Sequence, residues 1–240
     1  MADKTDGRTA ADTHEKTDGH ALPDPRGKTD GHALPDPRGK TDGHGVTAVL
    51  ALQGAFAEHE RMLDRLGAPW VELRADEDLD QPFDRLILPG GESTTQGRLL
   101  RDLGMLEPLR QRIAAGMPVL ATCAGLILLA ERVEGDGSRS RAPEPDQRGP
   151  WLATLDVTVE RNAYGRQLGS FHAVAPFDGL GEVPMSFIRA PYVSAVGPRA
   201  QVLAQVDGRV VAVRQGRQLA LAFHPELDGD PRIHRLFLSL

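Results

Sequence analysis

The chain has 240 residues, of which 40% are hydrophobic and 26% are charged, and its formal net charge is −6. This balance is typical of one large soluble domain, alone or with an appendage, and it argues against a nucleic-acid or membrane surface as the main partner. The single cysteine permits no internal disulfide and excludes any cysteine-rich zinc or iron–sulfur site. Because the sequence also lacks an apolar run long enough to span a membrane and an apolar secretory core, we expect a cytoplasmic protein.

Residues 1–45 differ from the rest of the chain because they contain a tandem repeat. The segment KTDGHALPDPRG occurs at Lys16–Gly27 and again at Lys28–Gly39, and KTDGH starts a third copy at Lys40. Each repeat has one leucine, whose burial stabilises by about 1.5–3 kcal/mol, whereas ordering the backbone costs about 1–2 kcal/mol per residue. We therefore predict a disordered tail. Its histidines lie beside aspartates, which suggests weak metal binding, but a solvated linker is favoured because metal ligands need a fixed geometry.

The body, residues 46–240, alternates short apolar runs with segments of helical periodicity. Residues 135–150 are predicted to be a polar surface loop, and the DGR segment at 207–209 a hairpin turn. Predicted strands are 46–54, 69–73, 85–91, 118–123, 153–165, 185–193, 201–215 and 219–227. Predicted helices are 55–67, 107–116, 124–133 and 230–240. This order predicts an α/β domain with a mainly parallel sheet and helices on both faces.

The only cysteine, Cys123, follows the predicted strand 118–123 and begins a predicted helix. A sharp turn there would present the sulfur at the carboxyl end of the sheet, where α/β proteins place their sites. The helix N-terminus would favour the thiolate, which is the reactive form of cysteine. The alternative is a buried core residue, because free cysteine is among the most buried residue types.

The segment AFHPEL places His224 and Glu226 two residues apart, so their side chains share one face of an extended segment. Pro225 keeps His224 in an extended conformation. A carboxylate in this position can orient an imidazole that takes a proton from a thiol. The alternative is a surface histidine–glutamate pair at the end of a strand.

The segment LILPGGESTT places Gly90 and Gly91 directly after a strand. Two glycines let backbone N–H groups approach a ligand closely, as an oxyanion hole requires. The alternative is a tight turn in which Ser93 or Thr94 caps a helix. A phosphate-binding loop is disfavoured because no Walker lysine follows.

Together, the segments LALQGAFAEH, LILPGGESTT, TCAGLILLA, ERNAYGRQLGSF, FIRAP and FHPEL strongly resemble the glutaminase subunits of pyridoxal 5′-phosphate synthase. These subunits are class I, triad-type glutamine amidotransferases, and the resemblance runs from about Val46 to Leu240. It implies a three-layer, flavodoxin-like fold and hydrolysis of L-glutamine to L-glutamate and ammonia. It also implies a synthase subunit as partner, to which ammonia passes for vitamin B6 synthesis, and no metal or other cofactor.

The resemblance also implies a role for each site residue. Cys123 matches the nucleophile, His224 the general base and acid, and Glu226 the carboxylate that orients the histidine. Backbone N–H groups near Gly91 and Ala124 form the oxyanion hole. The positions that match glutamine-contacting residues are Gly91, Glu92, Ser93, Arg161, Ile188 and Arg189, and Gln53 matches a residue near the active site and the synthase interface.

Two features depart from the pattern of the family. Ala121 stands where the wider amidotransferases have glycine, two residues before the nucleophile, and a methyl group there tightens the turn. Gly125 is retained, so we expect activity to be kept. The loop 135–150 also looks longer than the usual connection.

Three functions remain open at this point. The first is the vitamin B6 glutaminase. The second is a glutaminase that serves another pathway, such as histidine biosynthesis, or a different cysteine hydrolase of similar fold. The third is a catalytically silent subunit that only binds a synthase, which the intact Cys–His–Glu set disfavours.

Overall fold

The computed structural model describes residues 45–134, 149–161 and 169–240. The predicted tail, apart from Gly45, most of the loop 135–150 and the end of the predicted strand 153–165 lie outside these residues. The helices are α1 (Phe56–Leu66), α2 (Ser93–Asp102), α3 (Leu106–Ala114), α4 (Ala124–Leu129) and α5 (Arg232–Leu238), with a short 3-10 helix at Asp76–Asp80. The strands are β1 (Thr47–Leu50), β2 (Trp70–Leu73), β3 (Arg85–Leu88), β4 (Val119–Thr122), β5 (Ala130–Glu134), β6 (Leu155–Glu160), β7 (Ser170–Phe177), β8 (Gly181–Ile188), β9 (Tyr192–Val196), β10 (Gln201–Val206), β11 (Arg209–Gln215) and β12 (Gln218–Leu221).

A mixed sheet with flanking helices joins these strands in the order β2-β1-β3-β4-β12-β11-β10-β7-β8. Strands β5, β6 and β9 branch from this path, because β9 pairs with β11 and β6 while β6 also pairs with β5. The pairs from β2 to β12 are parallel, whereas those from β12 to β8 are antiparallel. The prediction of a mainly parallel sheet therefore holds for the first five strands of the path only.

Four strands of the parallel half lie in the middle of the core and are apolar except for one polar residue each. All residues of β1, β3, β4 and β12 are buried, as expected for strands covered on both faces. Helix α1 contacts β1 and α5, while α4 contacts β3, β4, β12 and α2. Helix α1 ends where predicted, at Gly67, which adopts the left-handed conformation with φ of 64°. No helix in the described ranges is long and apolar enough to cross a bilayer.

Several local predictions differ from the structure. The predicted strand 219–227 ends at Leu221, and the Leu227 N–H donates to the His224 carbonyl in a turn. Helix α2 was not among the predicted helices. The predicted helix 124–133 ends at Leu129, and the chain continues as strand β5, which pairs with β6. The predicted strand 185–193 is interrupted by Arg189, whose φ is 44°, so that β8 ends before it and β9 begins after it. Helix α2 is capped by the side chain of Glu92, which accepts from two backbone N–H groups of the first turn, and not by Ser93 or Thr94.

Candidate active site

A cavity of about 330 Å³ lies where β1, β3 and β4 end and where the chain leaves β12. Most of the predicted site residues line it, namely Gln53, Gly91, Glu92, Ser93, Cys123, Arg161, Ile188, Arg189 and His224. Glu226 does not line the cavity, because it lies behind His224, and Ala124 is not part of the lining either. Ala55, Ile127 and Pro191 also line the cavity, and no motif in the sequence pointed to them.

Cys123 occupies a strained turn between β4 and α4. Its φ of 47° and ψ of −96° are unfavourable for a residue with a Cβ atom. The turn is held by the Cys123 N–H, which donates to the Leu221 carbonyl at 2.8 Å. It is also held by close packing of Gly125, where an added Cβ would lie 2.2 Å from the Leu88 oxygen. The thiol is 4.0 Å from the Ile188 carbonyl oxygen and faces the cavity.

His224 and Glu226 form a buried pair beside this thiol. The His224 Nδ1 lies 2.7 Å from Glu226 Oε1, and the His224 N–H donates to the Ser186 carbonyl at 2.8 Å. Both residues are more than nine-tenths buried. The surface-pair alternative is therefore wrong.

The protonation of this pair follows from its surroundings. Burial lowers the pKa of His224, but hydrogen bonds to Cys123 and Glu226 and the charges of these two groups outweigh burial and raise the pKa to about 10. Burial raises the pKa of Glu226, and the imidazole opposes this shift. With an acidic partner on each side of the imidazole, the arrangement favours the imidazolium form of His224.

The glycine turn after β3 brings backbone against the imidazole. A Cβ atom added to Gly90 would lie 2.2 Å from His224 Cε1, so only glycine fits there. The Gly90 carbonyl accepts from the Ala55 N–H at 2.9 Å. In the same turn, the Glu92 carboxylate accepts from the N–H groups of Thr94 and Thr95 at 3.1 and 2.7 Å. These bonds lower the pKa of Glu92, although burial acts in the opposite direction.

Gln53 is tied to the glycine turn through both its side chain and its backbone. Its side-chain oxygen accepts from the Glu92 N–H at 2.7 Å. Its carbonyl accepts from the Gln96 amide at 2.8 Å, and that amide also lies 3.2 Å from the Pro89 carbonyl. Gln53 is therefore hydrogen-bonded to the turn that contacts His224.

The two predicted arginines lie at the rim of the cavity. Arg161 donates to the Thr94 hydroxyl at 3.1 Å. Arg189 is exposed, and its backbone N–H donates to the Gly169 carbonyl at 2.6 Å. Ile188, which precedes it, is 39% exposed. The site thus joins a thiol, an imidazole–carboxylate pair and two guanidinium groups, which together suit the attack of a nucleophile on a small substrate that carries a carboxylate.

Comparison with known proteins agrees with this chemistry. A profile of the SNO glutamine amidotransferase family matches residues 49–240. The pyridoxal 5′-phosphate synthase subunit PdxT of Desulfitobacterium hafniense is 57% identical over 191 residues, which cover 80% of this chain and 90% of that protein. The subunit of the same name from Bifidobacterium longum is 54% identical over 201 residues, covering 81% and 100%. A glutamine amidotransferase of known crystal structure is 45% identical with a TM-score of 0.73, and the match covers 81% of this chain and 98% of that one. The chain therefore belongs to the SNO glutamine amidotransferase family.

Proposed function

We propose that this protein hydrolyses L-glutamine to L-glutamate and ammonia and delivers the ammonia to a synthase subunit that makes pyridoxal 5′-phosphate. The observation that carries the proposal is the strained turn that presents Cys123 beside the buried His224–Glu226 pair. The names of the relatives, which are pyridoxal 5′-phosphate synthase subunits, support the identity of the partner. The chemistry needs no metal or organic cofactor.

In the first half of the reaction, the Cys123 thiolate attacks the side-chain carbonyl carbon of glutamine, and the C=O electrons move to the oxygen. The N–H of Ala124, in the first turn of α4, and the N–H of Gly91 stabilise this oxyanion. His224 then gives its proton to the departing nitrogen, which leaves as ammonia. The product on the enzyme is a thioester between Cys123 and the glutamyl group.

In the second half, His224 is neutral and takes a proton from water, which attacks the thioester. The tetrahedral intermediate collapses and releases glutamate, and the proton on His224 again balances the Cys123 thiolate. Glu226 orients the ring through Nδ1, so that Nε2 is the atom that exchanges protons.

Recognition of glutamine involves the rim of the cavity. We assign the substrate carboxylate to Arg161 and Arg189, because a guanidinium binds a carboxylate in two parallel hydrogen bonds. The backbone and side chains of Gly91, Glu92, Ser93 and Ile188 contact the remainder of the substrate.

The partner is expected to control this site. Ammonia released into water is protonated and lost, so hydrolysis is useful only when a synthase is docked and receives the product directly. Gln53 lies at the cavity and is bonded to the glycine turn, so docking at Gln53 can reorient the N–H groups of that turn.

Residues 1–45 are a tail outside the catalytic domain, which spans 46–240, and the family match to 49–240 supports this division. Helices α1 and α5 contact each other, and α2 contacts both α3 and α4, which supports a three-layer, flavodoxin-like arrangement. The complex is a hetero-oligomer in the cytoplasm that requires no nucleic acid or membrane.

The test is glutamate release by the purified protein alone and after titration with its synthase subunit. We expect little activity alone and strong stimulation by the partner. Cys123→Ala should abolish hydrolysis while partner binding is kept, since Ala changes a thiol to a methyl group in the same turn. Hydrolysis by the variant would contradict the assignment of the nucleophile. Stimulation by a synthase of another pathway would favour the second function, and failure of Cys123 to react with a glutamine-like electrophile would favour a silent subunit.

A further inference from the structure

A group of buried polar side chains lies behind Glu226, on the side away from His224. His59 of α1 and His234 of α5 are completely buried, as is Thr122, the last residue of β4. The His59 Nδ1 is 3.0 Å from His234 Nε2. The other ring nitrogen, His59 Nε2, is 3.3 Å from the Thr122 hydroxyl and 3.5 Å from Glu226 Oε2.

This group continues the line of catalytic side chains through the core. His224 uses Oε1 of Glu226, and His59 faces the second oxygen, Oε2. Oε2 is buried and makes no hydrogen bond to any residue that the structure describes. Across those same ranges, no group of three or more His, Cys, Asp or Glu side chains is arranged to hold a metal ion. The contact between His59 Nε2 and Oε2 is electrostatic, because 3.5 Å is longer than an ordinary hydrogen bond.

The tautomer of His59 follows from its neighbours, which are Thr122 and Glu226 at Nε2 and His234 at Nδ1. If His59 carries its proton on Nε2, it donates toward Thr122 and Glu226, and its Nδ1 accepts from the Nε2–H of His234. Two atoms of the group then have no hydrogen-bond partner among the described residues, namely His234 Nδ1 and Glu226 Oε2, and the His59 N–H faces Oε2 at 3.5 Å. This tautomer directs an N–H at the carboxylate.

The opposite tautomer is unfavourable at both ends. With the proton on His59 Nδ1, the ring donates to His234 Nε2, and His234 must then carry its own proton on Nδ1. That buried N–H has no acceptor. The Thr122 hydroxyl can donate to His59 Nε2 in this tautomer, but the Nε2 lone pair then also faces the Glu226 carboxylate. Both faults disappear in the first tautomer.

The surroundings keep His59 neutral. Burial lowers its pKa well below the ordinary value, and the charges of His234 and His224 lower it further. Burial and Arg65 of α1 lower the pKa of His234 to about 4. Glu58 of α1 is a further charged group nearby, and its charge adds to the burial that raises the pKa of Glu226. His59 therefore donates a hydrogen bond as a neutral ring over the whole neutral pH range.

We propose that His59 is a positioning residue of the catalytic triad, whose Nε2–H faces Oε2 of Glu226 and attracts it electrostatically while His234 fixes the tautomer of His59. The carboxylate is then held at both oxygens, and Oε1 stays directed at His224 Nδ1. Because Thr122 precedes Cys123, the same group also links the carboxylate to the strand that carries the nucleophile. This inference rests on the proposed glutaminase function.

Two substitutions of His59 separate positioning from packing. His59→Gln can place an amide N–H near the Nε2 position, toward Glu226, whereas His59→Asn can place its amide only near Nδ1, toward His234. We expect His59→Gln to keep kcat within about threefold of the original protein. We expect His59→Asn to lower kcat about 10- to 100-fold, the effect of a misplaced catalytic group, with a smaller change in KM.

The reactivity of Cys123 is a second readout of the same pair of variants. The imidazolium form of His224 stabilises the thiolate, so a loosened Glu226 should shift the pH profile of Cys123 alkylation by iodoacetamide to higher pH. We expect this shift in His59→Asn and not in His59→Gln. Original behaviour in both variants would overturn the proposal, and equal loss in both variants would assign His59 a packing role instead.

The tautomer can be measured without any substitution. Nitrogen-15 spectra of the histidine side chains of the full chain should show His59 and His234 protonated on Nε2 at neutral pH, and an Nδ1–H tautomer of His59 would overturn the proposal even if a variant fails to fold. If the original protein with its synthase releases no glutamate, the proposed function fails. The spectra and the alkylation profiles test the positioning role independently of that result.

Discussion

Replacing Gly90 with alanine places one methyl group against the catalytic imidazole. The added Cβ would lie 2.2 Å from His224 Cε1 and 2.8 Å from Nδ1. Ordinary van der Waals contact begins at 3.4 Å, so the ring and the glycine turn must separate by 1.2 Å. The ring cannot retreat freely, because Nδ1 is held by Glu226 at 2.7 Å.

The size of the effect follows from this displacement. A misplacement of about 1 Å in a catalytic group lowers turnover by about 100-fold, and we expect a loss of this order in kcat. Overpacking of a buried site costs about 1–3 kcal/mol, which corresponds to a fall in melting temperature of about 2–4 °C per kcal/mol for a chain of this size. The variant should therefore fold and bind its synthase, but turn over slowly.

The assay is glutamate release at saturating synthase, together with the melting temperature. Gly229→Ala is a matched control, because nothing lies within 4 Å of the added Cβ and the backbone is not in the left-handed region. We expect the control to resemble the original protein in both measurements. If Gly90→Ala keeps kcat within about threefold, the contact between Gly90 and His224 does not position the base, and the reasoning is refuted.

Three further predictions address regions outside the triad. Deletion of residues 1–44 should leave activity and melting temperature nearly unchanged, because a repeat with one leucine does not offset its ordering entropy; a fall of several degrees would show that the tail packs. Burial and the nearby Glu72 raise the pKa of Glu60 to about 7. Between the ordinary value of 4.5 and 7, the folded state thus holds a proton that the unfolded chain has lost, so stability falls as pH rises through this window. Urea unfolding should show that Glu60→Gln flattens this fall, and an unchanged pH dependence would contradict the assignment. Gln53→Ala should reduce partner-stimulated turnover more than it reduces alkylation of Cys123 in the free subunit, and equal losses would show a general effect on the site.

Local patterns in the sequence were sufficient for the strands of the parallel half and for helices α1 and α3, but not for α2, which was not among the predicted helices. The alternation of buried strands and amphipathic helices from β1 to β4 appears directly as a change between apolar runs and helical periodicity. Sequence patterns failed where a helix and a strand have the same hydrophobic pattern. The run from Ala124 to Val133 is apolar at almost every position, so its periodicity does not distinguish a six-residue helix followed by a strand from one longer helix. Strand β7 was missed for a different reason, because most of its residues are exposed or only half-buried.

In the candidate site, too, some residues could be identified from the sequence and others only from the structure. Cys123, His224 and Glu226 could be singled out from the sequence because each stands in a short motif at the end of an apolar run, and a resemblance to a family connected the motifs. The buried side chains behind Glu226 could not be identified from motifs in the sequence. His59 and His234 are 175 residues apart, and each reads as an ordinary helical residue until α1 and α5 pack together.

The sequence by itself thus determined the nucleophile, its base and the carboxylate as candidates, since their chemistry depends on residue type and short spacing. Only the tertiary structure decided how they are held. The clash that reserves Gly90 for glycine and the second contact to Glu226 are made by side chains from distant segments, whose proximity arises when the core closes around the sheet. Residue type and spacing are local properties of the chain, whereas burial and hydrogen-bond direction depend on everything packed around a side chain.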